Sequence, residues 1–167
     1  MNDQHGELII EGGPTQVNAL LLPVAHAPLL VPMAAVAEVA KADMPITPLQ
    51  EEQESFYGWI SWRNQRLPLL SFEGISGSGK RPLTGASRLV ILNAIGVAAP
   101  RGFYGLVLEG FPRPVKISST QDGQHAEKMT GPPGVLYNLV VNTEEVLIPD
   151  FDLFEALSFQ APLPRGP

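Results

Sequence analysis

The sequence contains no cysteine, which excludes disulfides, thiolate nucleophiles and cysteine-based metal sites along its 167 residues. The absence is compatible with a reducing cytoplasm. Positive charge is scarce too: 11 Lys and Arg stand against 17 Asp and Glu, a net charge of −6. Such a chain has no electrostatic footprint for a phosphate backbone, so nucleic acid is not an expected partner. Histidine is limited to His5, His26 and His125, in three separate loop-like contexts with no pair at metal-ligand spacing. No metal and no cofactor are therefore expected. Serines are present without the G-x-S-x-G pattern of a nucleophile elbow.

A basic leader is also missing. Met1-Asn2-Asp3-Gln4-His5-Gly6-Glu7 carries acids where a secretory signal needs lysine or arginine, and a cytoplasmic location is expected. The stretch from Ala19 to Ala40 is long and apolar enough to raise a membrane span, with only His26 and Glu38 ionisable. Pro23, Pro28 and Pro32 break it too often for a spanning helix, and a hairpin followed by a strand explains the same apolarity. No membrane insertion is expected. The 17 prolines and 16 glycines are scattered rather than clustered, which favours many short strands and turns, hence an all-β fold of one folding unit.

What is present is organised around residues 56–72, where two apolar runs flank a short polar knot. Trp59, Ile60 and Trp62 supply β-favouring bulk on one arm and Leu67, Leu69 and Leu70 on the other, with the turn at Arg63-Asn64. Asn64 is the residue suited to positive φ. Arg63, held at a rigid tip, is a solvated charge or a partner contact. Trp59 and Trp62, three positions apart on a strand, point to opposite faces.

Before this hairpin, residues 1–15 read as a flexible lead, Val17 to Val24 and Leu29 to Val31 as an antiparallel pair, Met33 to Val36 as a helical turn, and Ala42 to Ser55 as a polar connection. Val36 to Lys41 leaves strand and helix open on periodicity alone. After it, Gly74 to Lys80 satisfies the G-x-x-x-x-G-K spacing of a phosphate loop. Arg81 replaces the hydroxyl that would bind Mg²⁺, and Pro82 and Gly85 disfavour the helix that would follow, so an exposed linker is expected. Arg88 to Leu92 pairs with Tyr104 to Glu109, and Val115 to Ile117 forms a further strand. Ser118 to Gly134 is a surface loop, and Val135 to Val141 pairs with Glu145 to Ile148 around Asn142-Thr143-Glu144. Asp152-Leu153-Phe154-Glu155 has the form of a reinforced N-cap, predicting a closing helix from Asp152 to about Leu157. Residues 159–167 read as a disordered tail. The order hairpin, strand, long loop, hairpin, exit occurs twice, from Val17 to Phe72 and from Arg88 to Phe151, which argues for two halves packed together.

Gly58-Trp59-Ile60-Ser61-Trp62-Arg63-Asn64-Gln65-Arg66-Leu67-Pro68-Leu69-Leu70-Ser71-Phe72 resembles the G-x-I-N-L-R-G-x-x-x-P-V-x-D-L signature of the CheW-like family of bacterial chemotaxis coupling proteins. Glycine, isoleucine, arginine and proline match in spacing, while Ser61, Trp62, Asn64 and Ser71 replace Asn, Leu, Gly and Asp. Val36, Glu38 and Val39 match the family's V-x-E-[IV], which favours strand there, and Tyr104 to Phe111 resembles its V-G-[LI]-[LV]-V-D-x-V. The resemblance covers about residues 17–158. It implies an all-β fold of two small five-stranded SH3-like barrels packed together, with short helices only, in a domain spanning 16–158. It further implies a non-catalytic adaptor that links the cytoplasmic tip of a methyl-accepting chemoreceptor to a CheA-type histidine kinase, in receptor arrays. By family match, Val36, Glu38, Gly58 and Arg63 are the partner-binding residues. The departures leave open an accessory adaptor of a type IV pilus system controlling twitching motility. A reading from another class, a small β-barrel hydrolase using Asp150, rests only on the presence of carboxylates.

Overall fold

The computed structural model describes residues 16–96, 102–118, 126–128 and 132–166. The expected N-terminal lead lies outside these residues, as do His5, His125 and much of the 118–134 connection. In chain order the elements are β1 (Gln16–Leu22), β2 (Leu29–Pro32), a 3₁₀ turn (Met33–Ala35), β3 (Val36–Lys41), β4 (Phe56–Trp62), β5 (Gln65–Leu70) and α1 (Phe72–Ser76). They continue with β6 (Arg88–Asn93), β7 (Phe103–Leu108), β8 (Arg113–Ser118), β9 (Ala126–Lys128), β10 (Val135–Val141), β11 (Glu144–Pro149) and α2 (Phe151–Phe159). The fold is all-β with short helices only.

The strands form two sheets, β8-β1-β2-β11-β10-β9 and β3-β6-β7-β5-β4. The first has six strands rather than five because Ala126–Lys128, expected within a surface loop, forms β9 on the outer edge of β10. Its Ala-Glu-Lys sequence carries no apolar alternation that would reveal a strand. Because successive strand residues face opposite ways, each sheet feeds two cores. Ile60, Trp62, Leu67, Leu69, Leu89, Ile91 and Val107 fill the inside of the five-stranded sheet. Ala19, Leu21, Leu30, Leu139, Val141 and Val146 fill the inside of the six-stranded one. The alternate residues, among them Leu22, Leu29, Leu70, Val90, Leu92, Leu106 and Leu147, meet in a larger core shared by both. A strand such as β6, with Leu89, Val90 and Ile91 all at 0% exposure, is thus buried on both faces. At about 25 cal/mol per Å² each such side chain contributes roughly 1.5–3 kcal/mol.

The two halves of the chain do not each make one sheet. The five-stranded sheet takes its central hairpin, β6–β7, from the second half and β3, β4 and β5 from the first. The other sheet takes β1–β2 from the first half and β8, β10 and β11 from the second. In each sheet the halves join twice, once by a parallel pairing, β2 with β11 and β7 with β5, and once by an antiparallel one, β1 with β8 and β3 with β6. The duplication expected from the sequence is present, but it is interlocked, so neither sheet is complete without both halves.

Three expectations need correction. Phe72–Ser76 is a helix rather than linker, because the Ser71 side chain accepts a bond from the Gly74 N–H at 3.0 Å and Gly77 closes the turn at φ 88°. In the closing helix the cap is Asp150, whose carboxylate accepts from the Leu153 N–H at 3.1 Å, and not Asp152. The tail is ordered through residue 166. Leu49 bridges Pro164, Gln50 N–H donates to Leu163 O, Arg165 N–H donates to Pro48 O, and the Trp59 indole donates to Pro162 O at 2.8 Å.

Candidate partner interface

The β4–β5 turn places Arg63 at φ 47° and Asn64 at φ 61°. Two consecutive left-handed residues make the type I′ turn that matches strand twist in a two-residue hairpin. Asn64 therefore does what the family's glycine does, and Arg63 carries a strain that such a residue rarely bears. Its side chain is not loose at the tip. One guanidinium nitrogen donates to Glu38 Oε2 at 3.0 Å, and the guanidinium carbon lies 4.6 Å from the Trp62 ring centroid. The Trp62 indole N–H donates to the same Glu38 oxygen at 3.0 Å. Trp62 itself is buried, with Phe103 against it at a centroid distance of 4.9 Å.

This cluster closes the sheet on itself. β3 and β4 are the two ends of the five-stranded order, yet Glu38 on β3 bonds Trp62 on β4 and Arg63 just beyond it. Glu38 and Arg63 are 39% and 67% exposed, so the ion pair alone contributes about 0–1 kcal/mol to stability. What it does secure is geometry, since ring, carboxylate and turn hold one guanidinium in place.

Val36 stands two residues before Glu38, at the end of the 3₁₀ turn, half-buried against the shared core. The Asn93 amide anchors that turn by donating to Ala34 O at 3.1 Å. Val36, Glu38 and Arg63 thus lie on the two elements that meet at this corner. Gly58 does not join them. It is buried, at φ 138°, where a Cβ would stand 2.3 Å from Thr47 O. Thr47 exchanges two 2.8 Å backbone bonds with the neighbouring Trp59, so Gly58 admits the 46–48 segment and offers a partner no side chain. Among the other departures from the signature, Ser71 keeps the N-cap that aspartate would provide, and Ser61 is exposed opposite Arg66.

Lys80, expected on an exposed linker, has a side chain only 15% exposed. Its ammonium donates to Gln53 O and Phe56 O at 3.1 Å each, fixing the connection before β4. Asp150, the residue of the hydrolase reading, is occupied as a helix cap. His26 is exposed in the β1–β2 turn, and among the described residues no three His, Asp or Glu side chains form a metal-binding group. No helix among them is long and apolar enough to cross a membrane.

Two buried glutamates have roles that local sequence reasoning missed. Glu73 on α1 accepts from the Ala25 N–H at 2.9 Å, and Glu155 on α2 accepts from the N–H groups of Ile95 and Gly96. Each helix thereby ties down the loop of the first hairpin of its own half. Their partners lie 48 and 59 or 60 residues away, so no local pattern announces them.

Two curled sheets around a shared core, with a rigid polar corner at one seam, define a two-barrel scaffold. A model of the CheW-like domain matches residues 18–159, and the chain belongs to the CheW-like domain family. That family consists of non-catalytic scaffolds and points to chemotaxis coupling. Among solved structures, the chain is similar to the scaffolding protein TtCheW from Thermoanaerobacter tengcongensis. The TM-score is 0.64 at 21% identity, over 84% of this chain and 88% of that one, which supports the fold. Among curated proteins none matches the sequence significantly.

Proposed function

We propose that the protein is an adaptor that couples the helical cytoplasmic tip of a methyl-accepting chemoreceptor to a CheA-type histidine kinase by binding alone, in the cytoplasm at receptor arrays. The observation that carries this reading is the corner built from Val36, Glu38, Trp62 and Arg63. Arg63 uses one of its N–H groups on Glu38 and keeps others for a partner's carboxylate or carbonyl. Because stacking and the turn already fix the guanidinium, ordering it on binding costs little. Val36 adds a half-exposed apolar contact beside it for the receptor helix. The sheet edges at β8 and β9 offer separate surfaces to a homologous barrel of the kinase.

The test is Arg63→Glu, measured for melting and for binding to a receptor-tip fragment. The melting temperature is expected to fall by less than about 4 °C, because an exposed pair is worth at most about 1 kcal/mol. Affinity is expected to fall by about thirtyfold, the equivalent of about 2 kcal/mol at a partly desolvated charge contact. Unchanged affinity in a folded variant would remove the receptor from this corner.

A further inference from the structure

Between α2 and strands β4, β5 and β7 lies a cleft of about 280 Å³ that the adaptor reading does not use. Its walls are aromatic: Trp59, Phe103 and Phe159, the last 77% exposed at the rim. Two polar groups in it lack partners among the described residues. The side chain of Arg66, an exposed residue, forms no ion pair or hydrogen bond with any of them. Tyr104, 1% exposed, lines the cleft, and its hydroxyl is buried with none of them to bond. A buried hydroxyl without a partner forfeits a hydrogen bond, so such groups are exceptions that call for a cause.

Of the other polar groups in the lining, Ser158 donates to Phe154 O at 2.8 Å, and Glu155 is already satisfied. Its carboxylate takes the Gly96 N–H at 2.8 and 2.9 Å and the Ile95 N–H as well. Burial, with the Glu155 charge adding to it, pushes the Tyr104 phenol well above its usual range, so it stays a donor. The cleft therefore offers a free cation and a free donor beside aromatic walls, the complement of a carboxylate on a flat apolar body. A cation would face the Arg66 guanidinium. For scale, an enclosed apolar cavity of about 150 Å³ holds benzene. The present volume admits one ring with a short carboxylate arm.

We propose that this cleft binds a small aromatic carboxylate, with its ring between Trp59 and Phe159 and its carboxylate between Arg66 and the Tyr104 hydroxyl.

The probe is phenylacetate, titrated into the full chain and followed through the Trp59 indole N–H resonance, with phenethylamine as the ring-matched cation. The expected result is saturable phenylacetate binding with a Kd on the order of 1 mM, as its small size dictates, and no response to phenethylamine. Arg66→Gln should weaken phenylacetate at least about tenfold and Tyr104→Phe about threefold, the scale of one charged and one neutral hydrogen bond. Arg63→Glu, at the corner assigned to the receptor, should leave the titration unchanged, which separates this site from the adaptor reading. Equal response to both probes, insensitivity to Arg66→Gln, or silence up to about 20 mM would overturn the proposal.

Discussion

The second hairpins of the two halves, β4–β5 and β10–β11, are built on one plan and diverge where the chain makes contacts of its own. Each pairing in the first recurs 79 residues later in the second: Phe56 with Leu70 becomes Val135 with Pro149, and Trp62 with Gln65 becomes Val141 with Glu144. Even the register shift is repeated, between Phe56 and Gly58 and between Val135 and Tyr137. Both turns carry two left-handed residues, Arg63-Asn64 and Asn142-Thr143, and both second strands run into a helix capped by a small polar side chain, Ser71 or Asp150. Barrel geometry fixes register, bulge, turn and cap, so these recur. Side chains at the same places are free to differ, and the differences mark what each hairpin does beyond folding.

The largest difference is at the bulge. Gly58 holds φ 138° with Thr47 pressed against it, whereas its counterpart Tyr137 keeps a side chain 37% exposed. Gly58→Tyr is expected to cost more than about 4 kcal/mol or abolish folding, since backbone strain adds to a clash with main chain that cannot move aside. Tyr137→Gly should cost only about 1 kcal/mol. Urea melts of both check the asymmetry. Equal costs would mean that the 46–48 segment yields easily and that the bulges are interchangeable.

The helix glutamates differ by degree. Glu155→Ala orphans the N–H groups of Ile95 and Gly96 and is expected to cost about 2–3 kcal/mol, and Glu73→Ala, which orphans Ala25 N–H alone, about 1–2 kcal/mol. Native-state hydrogen exchange at those amides reads the effect directly. Protection unchanged in both variants would show that the helices do not fasten the hairpin loops.

Smaller again are the caps. Ser71→Ala and Asp150→Ala should each cost about 1 kcal/mol, lowering the melting temperature by about 2–4 °C, while Ser71→Asp should be nearly neutral. Asp150→Asn preserves a good cap, so a stable Asp150→Asn variant that lost a hydrolytic turnover would revive a catalytic role for that residue.

Much of the fold could be read from the residues because strands and tight turns write short-range signals. The Arg63-Asn64 turn, the 3₁₀ turn at Met33 and the opposite facing of the two tryptophans follow from patterns a few residues wide. The N-cap of α2 is ambiguous in the sequence for a local reason: Asp150 and Asp152 are both acids before an apolar run, and Glu155, three residues beyond Asp152, completes a capping pattern there. Its carboxylate instead reaches a loop some sixty residues earlier. The exchange of hairpins between halves left no trace, since either half could close on itself with the same alternation. At the site, the family match brought Val36, Glu38 and Arg63 into view, but the part played by Trp62 needed the structure. Its indole occupies the leucine position of the signature and adds a donor that no periodicity encodes.

The smallest stability effects belong to the seams, where the two barrels reverse one another's charges. Glu38 on β3, opposite Ile91, meets Arg63 at the first turn, and Arg113 on β8, opposite Leu21, meets Glu144 beside the second turn at 2.7 Å. Both pairs are largely solvated, so breaking either should cost about 0–1 kcal/mol. Binding should tell them apart. Arg113→Glu is expected to leave affinity for a receptor-tip fragment unchanged, while Arg63→Glu weakens it. The exchange Glu38→Arg with Arg63→Glu then sharpens the contrast, because it rebuilds an ion pair while moving the positive charge from the turn to β3. The ion pair should re-form with melting still about 1–3 kcal/mol short of the parent, since arginine cannot accept from the Trp62 indole N–H, and with binding still lost if the receptor reads the guanidinium where the type I′ turn and Trp62 hold it. Recovery of binding along with the ion pair would show instead that the pair acts only by closing the barrel, and the two seams would then be equivalent in function as well as in build.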